Sequence, residues 1–261
     1  MTFDVSIFLE QVFSQAFLNG ALLSISVAVL AQVAAIVVGF GLALATMAKS
    51  PVLQGIARVY IWLFRAIPTL LVLLLLWNAA PQIFPALRQD WYTPFVAAVV
   101  GLALTEAAFM SEIIRSALQS VDDGQALAAR ALGMKPAAVL FKVVLPQAIR
   151  VAIPPTGNEF IAMVKYTSLA SVISLRELLT TAQLGVSTTF RYAEYYAAAT
   201  VYYLVIVSIL MILQNRLEKR YRWITPKRRR KGGGPAPTVP TVGLGTAALP
   251  VAHQTKEAEV R

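Results

Sequence analysis

The amino-acid sequence predicts an all-α integral membrane protein of about five transmembrane helices, with its N-terminus outside and its C-terminus in the cytoplasm. Three observations carry this prediction. Of the 261 residues 57% are hydrophobic and only 14% charged, against roughly 45–50% and about 25% in soluble domains. The mean hydropathy is +0.66, and a water-soluble fold this poor in charge could not cover its surface. Uncharged runs long enough to cross a bilayer recur along the chain. Lysine and arginine concentrate in alternate connections, as they do on the cytoplasmic side of membrane proteins.

The elements follow in order. Residues 1–16 form an extracytoplasmic N-terminal segment with Asp4 and Glu10 and no basic residue, unlike a signal peptide. Gly20 to Ala48 is uncharged and makes the first span. The second starts near Val52, carries Arg58 and Arg65 at its cytoplasmic end and runs through the uncharged stretch Ala66 to Leu87. Thr93 to Ala117 is the third, interrupted by Glu106 and Glu112. Val151 to Leu175 is the fourth, with Glu159 and Lys165 inside it and Pro154, Pro155 and Gly157 as possible helix breakers. Tyr195 to Asn215, again uncharged, is the fifth. The transmembrane domain thus occupies residues 17–220.

Orientation follows from the connections. One side holds Lys49 and Arg58, then Arg115, Arg130, Lys135, Lys142 and Arg150, then the C-terminal basic run; the other holds Arg88, Arg176 and Arg191. Nine of the 23 basic residues lie between Arg216 and Lys231. Directly after an apolar span, that run reads as an anchor on anionic lipid rather than a nucleic-acid site. Residues 221–261 form a tail, basic and then rich in proline and glycine, without a periodic apolar pattern. No internal repeat is evident, which weakens an inverted-repeat carrier architecture.

Several chemistries are excluded. The chain has no cysteine, and His253 in the tail is its single histidine. Disulfides and thiolate metal sites are therefore ruled out, and the lone histidine disfavours histidine-based metal sites and Ser-His-Asp catalysis. No G-x-x-x-x-G-K-[ST] phosphate loop is present, and Gly133-Met134-Lys135 beside Pro136 has the wrong spacing for one.

Charges inside spans are costly and mark candidate sites. Glu106, near the middle of the third span, together with Glu159 and Lys165, either lines a translocation path for a zwitterionic solute or supplies a buried pair, such as Glu106 with Lys165. Glu112 and Arg115, three residues apart, are suited to an ion pair on one helix face. Arg65 reads as a snorkelling side chain. Ser24, Ser26 and Gln32 suit helix packing, Thr167 and Ser168 suit bonds to their own helix carbonyls, and Trp62, Trp77, Trp91 and Tyr92 suit interfacial belts.

The segment from Val121 to Arg150 is the most informative. Its Ala-rich middle is a strong helix former, Gly133 supplies a helix stop, Pro136 opens a second helical stretch and Leu145-Pro146 ends it. A short helix between two spans on the basic side is a candidate docking element. The spacing of Leu127-Ala128-Ala129, Gly133, Val143 and Leu145-Pro146 resembles the cytoplasmic loop of ABC-transporter permease subunits, whose pattern is EAA, three residues, G, nine residues, I, one residue, LP. Leu127 stands where that pattern has its acidic residue.

PheArgAlaIlePro at 64–68, GluAlaAlaPheMetSerGluIleIleArg at 106–115, ProProThrGlyAsnGluPhe at 154–160 and LysTyrThrSerLeuAlaSerValIle at 165–173 extend the resemblance, over about residues 15 to 220, to the polar amino-acid uptake permeases. The resemblance implies the ABC importer permease (MetI-like) fold in a bacterial cytoplasmic membrane. It implies assembly with an identical or homologous second permease, a dimer of ATP-binding subunits and an extracytoplasmic amino-acid-binding protein. ATP and Mg would be bound by the ATPase and no cofactor by this chain. It carries ATPase coupling over to Gln125, Leu127, Ala128, Ala129, Gly133, Leu145 and Pro146. A self-sufficient secondary transporter using Glu106 or Glu159 as proton carrier stands as the alternative.

Overall fold

The computed structural model describes residues 3–221, so the expected basic and Pro/Gly-rich tail from Arg222 onward, His253 included, lies outside the described residues. The described chain is helical. Helix α1 (Val5–Val12) starts at Asp4, whose Oδ1 accepts the N–H groups of Ser6 (2.9 Å) and Ile7 (3.4 Å), satisfying orphan donors of the first turn. Helix α2 (Gln15–Thr46) begins at Ser14, whose hydroxyl accepts the N–H of Phe17. It starts a few residues before the first uncharged run because the cap, not the last polar residue, sets the boundary.

The core is a seam between α2 and α5 (Pro94–Gln119), the most extensive helix contact in the fold. Along α2 the buried positions Gly20, Ser24, Ala28, Ala31, Ala35, Gly39 and Ala43 recur every three or four residues. Ala28 and Ala31 share a buried cluster with Ala97 and Ala98 of α5, and Ala35 one with Ala107 and Met110. Small residues on one stripe let two backbones approach closely, the main source of helix association where lipid offers no hydrophobic contrast. Gly39 marks the tightest approach: a Cβ there would lie 2.7 Å from Met110 Cβ and 3.0 Å from the Ser111 backbone nitrogen.

The second span is not the continuous helix expected from Val52 to Leu87. Helix α3 (Pro51–Ala66) and α4 (Thr69–Ile83) are bent by 102° at Ile67-Pro68. Pro68 offers no N–H and forces Ile67 into extended backbone (φ −83°, ψ 131°), which ends α3. Tyr92, expected at an interfacial belt, is instead buried, stacked on Trp77 and donating its hydroxyl to Leu76 O (2.7 Å). It ties the loop before α5 to α4.

After α5 come the short helix α6 (Asp123–Ala131) and then a helical run, α7 (Pro136–Ile173), made of a π turn at Leu140–Val144, an α segment Leu145–Tyr166 and a 3-10 turn Thr167–Ile173. Leu145-Pro146 therefore does not end the second helical stretch, and Pro154-Pro155 does not break the fourth span. Proline clashes with the carbonyl four residues back; at Pro146 the π turn just before it relieves that clash. The same device recurs in α4, where Pro81 follows the π turn Leu75–Ala79. Through Pro154-Pro155 the helix simply continues, and nearby Gln214 Nε2 of the last described helix donates to Pro154 O at 3.2 Å, which ties α7 to that helix.

Helix α8 (Leu178–Thr189), absent from the expected elements, is capped by Glu177, whose carboxylate accepts the N–H groups of Leu179 (2.8 Å) and Thr180 (2.7 Å). Leu178 N–H donates to Ser24 Oγ of α2, and Tyr203 of α9 (Tyr192–Tyr221) donates to Glu177 Oε2. Glu194 of α9 accepts the Asp4 N–H, and Tyr202 donates to Val12 O, so α1 is held against α9. Four described helices, α2, α5, α7 and α9, are long and apolar enough to cross a membrane, and the bent pair α3–α4 makes a fifth when taken as one span.

Replacing Gly39 by valine is expected to lower the thermal midpoint of the detergent-solubilised protein, at a cost of about 1–3 kcal/mol for overpacking a seam that cannot move apart. Gly41→Ala, where nothing lies within 4 Å of the added Cβ, is expected to leave the midpoint unchanged or raise it, because alanine favours a helix by up to ~1 kcal/mol over glycine. Equal losses at both positions would refute the seam.

Candidate functional site

The first group of site residues lies on the loop between α5 and α7. Asp122 opens α6 by accepting the Gly124 N–H at 2.7 Å. The helix closes with Met134 N–H donating to Ala129 O and Gly133 N–H donating to Arg130 O. This paired bond pattern is the Schellman stop, and it requires a left-handed residue; Gly133 supplies it at φ +80°. Gln125, Leu127, Ala128 and Gly133 are exposed, with Leu127 at 69% and neighbouring Leu132 at 85%.

Ala129 differs. It is buried, on the side of α6 that packs against the Pro136–Val144 stretch. Its place in the group is to seat the helix, not to present a surface. Leu145 and Pro146 lie apart from this exposed face, at the base of the α segment of α7, where Leu145 packs on Ala117, Leu118 and Ala148. Loop and span are thus joined through one apolar cluster.

The second group lies among the spans. Glu106, on α5, is only 3% exposed, and its Oε1 has no hydrogen-bond partner. Gln32, on α2, is equally buried; its Nε2 donates to Met110 Sδ at 3.2 Å, and its Oε1 is also unpartnered. Met110 is one turn beyond Glu106 on the same face of α5. Half-buried Glu159 of α7 is close enough to act on Glu106 electrostatically. Gln32 also borders an apolar cavity of about 500 Å³ between α2, α5, α7 and α9, with Thr156 and Phe160 on its wall.

Lys165 does not join this cluster. It is exposed, and no ion pair links it to Glu106 among the described residues, so the alternative of a buried Glu106–Lys165 pair is not what the fold builds. Glu112 and Arg115 form the expected i, i+3 pair, at 2.7 Å. Thr167 and Ser168 donate to Val164 O and Lys165 O, as expected of hydroxyls in a span. The residue that the pattern of charges missed is Gln32. The signal for it was an amide in an otherwise uncharged span, the same signal that also fits simple helix packing. Among the described residues no cluster of His, Cys, Asp or Glu is arranged to hold a metal ion.

Comparison with known proteins bears on what this arrangement serves. Residues 35–223 match the family described as binding-protein-dependent transport system inner membrane component. The protein named "Probable amino-acid permease protein YxeN" of Bacillus subtilis is 41% identical over 197 residues, covering 76% of this chain and 87% of that protein. The arginine transport system permease protein ArgU of Corynebacterium glutamicum is 37% identical over 213 residues, covering 78% of this chain and 67% of its own.

A solved structure described as an amino acid ABC transporter with histidines superposes with a TM-score of 0.74 at 34% identity, over 84% of this chain and all of that one. These likenesses favour a permease component over a self-sufficient secondary transporter. The family implies an ATPase and a solute-binding protein as partners, with ATP hydrolysis on the separate subunit. With most of its spans inside the matched region, this multi-pass membrane chain belongs to the inner membrane components of binding-protein-dependent transport systems: it is an ABC importer permease subunit and not an enzyme.

Proposed function

We propose that this chain forms half of the transmembrane path of an importer for a polar amino acid, with an identical or homologous permease as the other half. Its N-terminus lies outside and its C-terminus in the cytoplasm of a bacterial cytoplasmic membrane, the arrangement the lysine and arginine distribution favours. An extracytoplasmic binding protein delivers the solute, and a cytoplasmic dimer of ATP-binding subunits holds ATP and Mg. The observation that carries the reading is the exposed helix α6 with its left-handed stop at Gly133, on a chain without a phosphate loop. A partner that closes on nucleotide acts through differential contact with that helix. Leu127 and Leu132 give the contact an apolar character where the family pattern places an acid.

The solute path is read from Glu106. Two buried oxygens without partners, on Glu106 and Gln32, with Glu159 adding negative charge and Lys165 elsewhere, form an acceptor-rich and cation-poor region. Unsatisfied buried acceptors cost free energy that a bound donor recovers. A substrate carrying an ammonium or guanidinium group provides such donors, so the arrangement favours a cationic amino acid over an anionic one.

Two experiments test these parts. Purified with its ATPase and reconstituted in proteoliposomes, Ala128→Arg and Gly133→Arg are expected to insert normally yet lose about tenfold or more of ATP-driven uptake; Ala128→Arg does so without backbone strain, whereas Gly133→Arg also places a side chain at positive φ. Normal uptake by Ala128→Arg would overturn the docking assignment. Glu106→Gln is expected to lower uptake of arginine or lysine about tenfold or more, the worth of a hydrogen bond to a charged group, while assembly and basal ATP hydrolysis persist. Lys165→Gln is expected to leave that uptake near wild type. The reverse ranking would move the path away from Glu106.

A further inference from the structure

A second concavity, separate from the Glu106 region, lies where the ends of α2 and α5 meet α3. It encloses about 970 Å³ and is bordered by Met47, Arg58, Trp62, Arg65, Glu112 and Arg115. Three guanidinium groups face one carboxylate there. Arg115 is committed to Glu112 (2.7 Å) and Gln119 (2.9 Å). Arg58 has only a neutral partner, Gln54 Oε1 at 2.9 Å, and Arg65 lies over the Phe109 ring, 5.6 Å from its centroid. Neither has a carboxylate within ion-pair distance among the described residues. The groove therefore carries a surplus of two positive charges.

Helix α3 explains where this surplus lies. Arg58 and Arg65 are seven residues apart and share a face turned to the groove. Val52, Ile56 and Val59 occupy a different face and are all at least 60% exposed. The 102° bend turns α3 across the direction of α4, so the pair is not one straight helix. One helix then offers an apolar strip to hydrocarbon and two guanidinium forks to the groove, with exposed Trp62 between them, a residue type that favours the headgroup level. A planar fork of donors matches a phosphate bidentately, and basic pockets between membrane helices are suited to anionic headgroups.

We propose that this groove is a binding site for the phosphodiester headgroup of an anionic phospholipid, with the acyl chains lying along the exposed strip of α3. A free phosphate would satisfy the guanidinium groups equally but has nothing to place on Val52, Ile56 and Val59. The groove opens at the α5 end from which the docking loop leaves, so the lipid belongs to the leaflet on that side. This inference needs the chain only to span a membrane and is independent of which solute is carried.

The test uses the full chain with its ATPase partner, reconstituted in phosphatidylcholine vesicles doped with photoactivatable phosphatidylglycerol. Cross-links are expected on peptides covering 52–66 and 109–119, reduced by about tenfold or more in Arg58→Gln/Arg65→Gln, and undiminished by excess inorganic phosphate. Photoactivatable phosphatidylcholine, which meets the strip only as bulk lipid, is expected to label those peptides several fold less. Cross-links unchanged in the double variant, confined to the 216–231 basic run, or equal for the two lipids would overturn the site. Displacement by inorganic phosphate would reassign the groove to a soluble anion, and labelling of a partner subunit in place of lipid would make it a protein interface. If the double variant does not assemble, Arg58→Gln alone, which gives up only one neutral hydrogen bond, is expected to reduce the cross-link by several fold, and no reduction would again overturn the proposal.

Discussion

The close approach of α2 and α5 is the constraint on which the rest of the fold depends. In a membrane, apolar area alone does not hold two helices together, because lipid is as apolar as leucine. Contact must come from dispersion at short range, and side chains no larger than alanine at the crossing are what permit it. The stripe from Gly20 to Ala43 does this along the length of α2. At one end it admits α8, whose Leu178 and Thr181 crowd Gly20. Nearer its other end it admits Met110 and Ser111 of α5. Glu106 and Gln32 are buried because they stand on the same two helices, with Gln32 at the wall of the apolar cavity.

Much of this was legible in the sequence. Spans appear as runs with few or no charges because hydrocarbon penalises charge along the whole helix, and those runs locate the cores of α2, α5 and α9. The exceptions to the pattern, Glu106 and Glu159, stand out for the same reason. Gly133 was legible because a helix stop of that kind demands positive φ, and the described bonds around Ala129, Arg130 and Met134 supply the rest of the motif.

What was not legible depends on partners distant in the chain. Pro68 breaks its span while Pro81, Pro146, Pro154 and Pro155 do not. At Pro81 and Pro146 the difference lies in the π turns that precede them, which local propensity does not encode. Helix α8 owes its start to Glu177 and to Ser24 of α2, which accept its first N–H groups, while Tyr203 of α9 holds the Glu177 carboxylate in place. Ala128 and Ala129 are adjacent and chemically identical, and only packing against the stretch beyond Pro136 decides which of them faces outward. The basic groove escaped notice because Arg58, Arg65 and Arg115 belong to two spans that the 102° bend alone brings around one space.

The π turn at Leu140–Val144 has a mechanical side. By carrying the helix past Pro146 it makes Pro136–Ile173 one run of 38 residues, about 57 Å at 1.5 Å per residue. No loop interrupts it to absorb motion. A rod of that length acts as a lever: a tilt of about 3° imposed at one end displaces the other by roughly 3 Å, comparable to the width of a hydrogen-bonded contact. Glu159 rides on that run, so its distance from Glu106 depends on the angle of a helix whose base lies beside the α6 loop. Continuity of backbone, more than any single side chain, would then link a displacement at the α6 end to the geometry around Glu106.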